Sequence, residues 1–241
     1  MSGASYQELK SRLVSARIPL LSRTSRQLRR GVREGDPASL TLMGECLTWG
    51  RHGYPRFPRR GVSMILRAAE AGHPQACEFA ADLYRTGKCG IARDETRART
   101  LLALPADLGS PSAAGWLAWF EWFGIGGPVS KEAAFIHART AVAGGDLNGY
   151  RIGALIQAQG FGVQQDTLLA ITILRELLLR VPDDSFGLRE LGRLLCDPAH
   201  EYVGQICPTQ NSREEGERLL RQAAALGDAE ALKLVTMSAH A

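Results

Sequence analysis

Four side chains of the kind that bind metal stand close together in the last third of the chain: Cys196, Asp197, His200 and Cys207. Thiol and imidazole groups are zinc ligands, but these intervals fit no standard finger, and the stretch reads as a loop carrying incidental ligands. Glu121 and Glu132 are carboxylates of the type a general acid requires. Both sit in helical patterns, where a solvated face accounts for them. His73 and His137 stand near helix ends or on an apolar stripe, as hydrogen-bonded structural histidines do. The chain has no glycine-rich phosphate loop ending in Lys-Ser/Thr, no His-Glu-x-x-His and no Gly-x-Ser-x-Gly. The expectation is a protein without a catalytic site, metal or cofactor.

A denser signal is aromatic. Trp116, Trp119, Trp122 and Phe123 fall within eight residues, and Trp116, Trp119 and Phe123, spaced by three and four, share one side of a helix. Equivalent positions in neighbouring segments hold Phe79 and Asp82, then Ile152 and Leu155, then Glu190 and Arg193. Side by side, these residues make a partly apolar strip suited to a protein partner, since tryptophan is enriched at interface hot spots. Packing between helices would use the same strip, and on sequence alone both readings stand.

Such a strip needs helices to carry it. Hydrophobic residues at 45% suffice for a packed core, while aromatics at 7% beside 26 glycines favour short helices with frequent stops over bulky β packing. The stops are periodic. Gly35-Asp-Pro-Ala-Ser39, Gly72-His-Pro-Gln-Ala76, Gly109-Ser-Pro-Ser-Ala113, Gly145-Asp-Leu-Asn-Gly149, Asp183-Asp-Ser-Phe-Gly187 and Gly227-Asp-Ala-Glu-Ala231 recur at spacings of 37, 37, 36, 38 and 44. Nine residues into each of the first five units stands a small residue (Gly44, Ala81, Ala118, Ala154, Gly192). Fifteen residues in stands Gly50, Gly87, Gly124 or Gly160, with Pro198 the exception. A small mid-helix residue admits a close neighbour, and a terminal glycine caps a helix. A second helix follows, with Leu28, Ile65, Leu102, Ala138 and Leu220 in phase on its buried stripe and Asp94 and Asp166 placed as N-caps.

These motifs resemble the Sel1-like repeat family, relatives of the tetratricopeptide repeats. The resemblance rests on Gly-x-x-x-Ala, the mid-helix small residue, Tyr84-Arg-Thr-Gly87, the Gly160-Phe-Gly-Val-Gln-Gln-Asp166 turn and Ala68-Ala69-Glu-Ala-Gly72. Departures are Lys88-Cys89-Gly90-Ile91 in one turn, Pro105 in place of alanine, and an insertion over 196–212. The resemblance implies an all-α, right-handed superhelix of helical hairpins. Five repeats would span 35–71, 72–108, 109–144, 145–182 and 183–226, between an N-terminal helical cap (1–34) and a capping helix (227–241). A hairpin of this size cannot bury its own stripe, so hairpins stack. The resemblance also places the aromatic strip in a concave groove and implies a non-enzymatic interaction module: an adaptor, an escort, or an immunity protein that blocks a toxin or secreted effector. A disulfide of the cysteine-rich members is not implied, because Cys77 lacks their partner thiol, and Cys46 and Cys77 read as small core residues.

Within the cap, Leu9, Leu13 and Val14 pattern one helix, Pro19 breaks it, and Leu28 and Val32 pattern a second. Residues 1–60 carry twelve basic against four acidic side chains, a local net of +8 in a chain of +4. That end is the alternative binding surface, for nucleic acid or an acidic partner. No aromatics interleave Arg23, Arg26, Arg29 and Arg30 for base stacking, which favours a solvated face over nucleic acid. Glu8, Lys10, Arg12 and Arg17 interrupt any leader-like apolar run, and Arg175, Glu176 and Arg180 break the most apolar stretch, 167–181. Together with an odd set of five cysteines, these features lead us to expect a cytoplasmic chain with reduced thiols and no membrane partner.

Overall fold

The computed structural model describes residues 4–15, 23–197 and 210–238. Over these residues the chain forms thirteen helices and no strand. It divides into two compact units, residues 1–129 and 130–241. The first holds α1 (Tyr6–Val14), α2 (Arg23–Glu34), α3 (Pro37–Trp49), α4 (Pro58–Glu70), α5 (Pro74–Thr86), α6 (Glu95–Asp107) and α7 (Pro111–Phe123). The second holds α8 (Lys131–Ala143), α9 (Leu147–Gln159), α10 (Thr167–Arg180), α11 (Ser185–Cys196), α12 (Gln210–Ala225) and α13 (Ala229–Ser238).

Local chemistry sets the helix ends. Proline opens α3, α5 and α7, where its missing N–H costs nothing, and the side chains of Asp36 and Ser110 accept from the free N–H groups of Ser39 and Ala113. The glycines predicted to stop helices do so: Gly50, Gly87, Gly124 and Gly160 adopt left-handed φ values between 66° and 69°. Asp94 and Asp166 cap α6 and α10, accepting from Arg97 and Leu169. In the 160–166 turn the Asp166 N–H also donates to the Gln157 carbonyl at 2.9 Å, closing the turn back onto α9.

Packing follows the phased positions. In the first unit Leu28, Ile65 and Leu102 are buried, and in the second Ala138 and Leu220 are. The small mid-helix residues permit this. A Cβ at Gly44 would lie 2.7 Å from the Ile65 side chain and 2.9 Å from the Gly61 carbonyl, so α3 and α4 touch nearly backbone to backbone. Gly192 and Gly216 do the same for α11 and α12, with a Cβ at Gly192 only 2.8 Å from the Gly216 carbonyl.

In the N-terminal cap, Ser5 and Glu8 form a capping box on α1, and Tyr6, Leu9 and Leu13 are buried. Val14 departs from the expected pattern. It is 58% exposed, because it stands one residue beyond the stripe that Leu9 and Leu13 share. Leu28 of α2 is buried and Val32 partly so. Pro19, His200 and Cys207 lie outside the described residues. Cys46 and Cys77 are buried, and Cys46, Cys77, Cys89 and Cys196 are free thiols. Burial pushes the Cys46 thiol up to about 12, the value of an inert core group.

Candidate protein-binding groove

On α5, Phe79 and Asp82 are three residues apart and therefore share a face. On α7, Trp116 occupies the place in its repeat that Phe79 occupies in the one before. These residues line a cavity of about 350 Å³ in the first unit, together with Trp49 of α3 and Arg51, Glu78 and Arg85. Its floor is aromatic. The rings of Trp49 and Phe79 lie 5.5 Å apart, and the Arg51 guanidinium lies 5.5 Å from the Trp49 ring centre. The Arg85 guanidinium lies 4.0 Å from the Trp116 ring centre while it is ion-paired with Asp82 one turn earlier. A cation held over indole and tied to a carboxylate has few orientations open to it.

The α3 side of this face is closed by α1. The Tyr6 ring meets His73 and Phe79 edge-on at 6.1 and 6.5 Å, and its hydroxyl donates to the fully buried Glu45. Lys10 Nζ at 3.1 Å and Arg51 at 2.7 Å complete the charge balance around that carboxylate. Burial by itself would raise the Glu45 carboxyl, but the bonds from Tyr6, Lys10 and Arg51 prevail and hold it below its ordinary value. His73 sits at the start of α5 with Nδ1 3.1 Å from the Thr41 hydroxyl, and burial lowers its pKa, as suits a structural histidine.

The remaining strip residues divide by environment. The Trp119 and Phe123 rings meet at 4.7 Å, tilted by 52°, with Phe123 45% exposed, further along α7 than the cavity. Ile152 and Leu155 are 0% and 6% exposed. They present no surface, because α9 is packed by both α8 and α10, and they drop out of the candidate site. Arg193, in the second unit, is half-buried and ion-paired at 3.0 Å with Glu190, whose carboxylate also meets Arg189. Glu121 corrects another expectation. It is buried at 7% exposure rather than solvated, since α7 is enclosed on most of its circumference. Glu132 is exposed as expected. No three His, Cys, Asp or Glu side chains converge as a metal site among the described residues.

Sequence reasoning overlooked Trp49, Arg51 and Arg85. Trp49 could have been found, because it stands fourteen residues into its repeat, as Phe123 does in the third. Arg85 carried no such signal: an arginine before a helix-ending Thr-Gly reads as a solvated C-terminal cation.

The Sel1 repeat family model matches residues 37–73, 74–110, 111–146, 150–175 and 194–228. Among solved structures, the chain is similar to a Sel1 repeat protein from Oxalobacter formigenes, with 20% identity, a TM-score of 0.69, and coverage of 96% of this chain and 87% of that one. It is also similar to a protective antigen of uropathogenic Escherichia coli displaying an SLR fold, with 20% identity, a TM-score of 0.66 and 88% of this chain covered. The match spans 43% of the Escherichia coli chain, less than half its length. At these identities the likeness is one of fold, the helical-hairpin solenoid. With five repeat matches over most of its length, the chain belongs to the Sel1 repeat family.

Proposed function

We propose that the chain binds a partner protein through the groove of Trp49, Phe79, Asp82, Arg85 and Trp116. Sel1 repeat proteins generally mediate protein–protein interaction, and the fold is typically an interaction scaffold rather than a catalyst. The observation that carries the reading is the Arg85 guanidinium held over Trp116 inside an aromatic-floored cavity. Tryptophan and arginine are the residue types that most often dominate interface energy, and here both are ordered before any partner arrives. Trp119 and Phe123 extend the apolar surface along α7. No helix among the described residues is long and apolar enough to cross a membrane.

A rigid groove of this kind serves an adaptor, an escort or an inhibitor that occludes a toxin, and the identity of the captured partner separates these roles. The test is affinity capture from the native host with the wild-type chain and with Phe79→Ala and Arg85→Ala. A partner retained by the wild type and lost from both variants, each still folded by circular dichroism, supports the groove. Equal capture by the folded variants rejects it.

A further inference from the structure

The first unit has a second cavity, of about 560 Å³, that shares no lining residue with the groove. It lies between α2, the turn after α3, and α4. Its floor is aliphatic and thioether: Val32, Met43, Leu47 and Met64. Arg29 and Arg33, one turn apart on α2, form one wall, and Arg60 of α4 lines it as well. No acidic side chain lines the cavity among the described residues. Arg33 and Arg60 are exposed and have no ion-pair partner among the described residues.

The charge placement runs against helix stability. The first turn of α4 holds no acidic residue and carries Arg59 and Arg60, where the positive end of the helix dipole disfavours cations. At the start of α4 the charge of Arg60 adds to a dipole end of the same sign, and with the exposed guanidinium of Arg33 across the cavity this side attracts anions. Its frame is fixed. The buried Tyr54 hydroxyl is hydrogen-bonded to Ser25 of α2, and the Phe57 N–H donates to the Leu47 carbonyl at 2.7 Å, while the Phe57 side chain stays 54% exposed at the mouth.

We propose that this cavity docks a short acidic, amphipathic peptide segment of a partner protein. One or two leucine or phenylalanine side chains insert onto Met43, Leu47 and Met64, and flanking carboxylates meet Arg33 and Arg60. The apolar atoms are recessed, so a ligand must present a protruding apolar side chain, which a flat lipid surface does not. Of the two aromatic rings among the described lining residues Tyr54 is buried and Phe57 alone is exposed, so successive bases find no run of stacking partners, whereas methionine adapts to varied aliphatic and aromatic side chains. Carboxylate rather than amide flanks follow from the exposed guanidinium groups of Arg33 and Arg60, which have no ion-pair partner among the described residues.

The probe is a fluorescein-labelled synthetic peptide with leucine and phenylalanine flanked by glutamates, titrated into the full chain and read by fluorescence anisotropy. Binding should weaken about tenfold or more in an Arg33→Glu, Arg60→Glu double variant, and by several fold in Phe57→Ser. It should weaken as salt rises, and remain unchanged in Trp116→Ala, whose groove is separate. Arg33, Arg60 and Phe57 are exposed, so these variants keep the fold, which thermal unfolding verifies. The proposal is overturned by any of four results: no binding of the acidic peptide, equal binding of its glutamine counterpart, equal binding by the double variant, or preference for a single-stranded oligonucleotide or phosphatidylserine vesicles over the peptide.

Discussion

The Arg85 guanidinium lies 4.0 Å from the centre of the Trp116 ring, so two consecutive repeats meet across the groove through a stacked cation rather than an aliphatic contact. Stacking of this kind contributes about 0.5–1 kcal/mol where solvent reaches it and about 2 kcal/mol when desolvated, so a partner that covers the pair strengthens it. In the free protein, where solvent reaches it, the contact is a weak one.

Arg85→Lys should not rescue binding. An ammonium keeps the charge beside Asp82 but loses the planar stack, so partner affinity should fall nearly as far as in Arg85→Ala. The thermal stability of both variants should stay within about 1 kcal/mol of the wild type, because the Arg85–Asp82 pair is a partly exposed i,i+3 pair on one helix. Calorimetric titration and thermal unfolding read the two effects separately.

Adjacent aromatics on α7 should behave oppositely. Trp122 is 6% exposed and Phe123 45%. Trp122→Ala should cost about 3–5 kcal/mol of folding stability, the range for a buried aromatic, and Phe123→Ala about 1 kcal/mol. Chemical denaturation of both variants checks the difference.

The Tyr6–Glu45 bond gives stability a pH dependence at both ends. The Glu45 carboxyl titrates below its ordinary 4.5 in the folded chain, so its stabilisation is present above pH 4.5 and is lost as pH falls through the folded value. Burial, then the neighbouring Glu45, raises the Tyr6 phenol above its ordinary 10.0. The unfolded chain therefore releases that proton first, and stability falls as pH rises past 10.0. Glu45→Gln should flatten the acid limb. Tyr6→Phe should remove the alkaline loss while costing about 1–3 kcal/mol at neutral pH, because the buried carboxylate loses a donor. Denaturant midpoints measured across pH test both signs.

Gly44→Ala should destabilise, although alanine is the better helix former. The added methyl would sit 2.7 Å from the Ile65 side chain and 2.9 Å from the Gly61 carbonyl, and prising α3 from α4 outweighs the gain of about 1 kcal/mol in helix propensity. A net loss of about 1–2 kcal/mol in a urea titration is the expected result.

The helical hairpins are legible in the sequence because their determinants are local. A glycine fifteen residues into the repeat, a capping Asp or Ser and a small residue at mid-helix each act within a turn or against the next helix. Burial of charge is less legible. Glu45 and Glu121 stand in helices with no local sign of what encloses them, and Glu45 is paired with Lys10 and hydrogen-bonded by Tyr6, thirty-five and thirty-nine residues away. The strip is legible in part. Phase alone puts Phe79 and Trp116 together, but it cannot tell that Ile152 and Leu155, on the same register, are enclosed by packing, or that Trp49 and Arg85 complete the cavity.

The measurement that bears most directly on the groove is a paired one on Trp116→Ala: affinity for the captured partner by calorimetric titration, and folding stability by denaturation of the same preparation. The groove reading predicts a loss of about 2 kcal/mol or more in binding, the hot-spot range, with most folding stability retained. A folded Trp116→Ala that binds its partner as tightly as the wild type would contradict it, as would a loss of about 3–5 kcal/mol in stability, which would mark Trp116 as core packing.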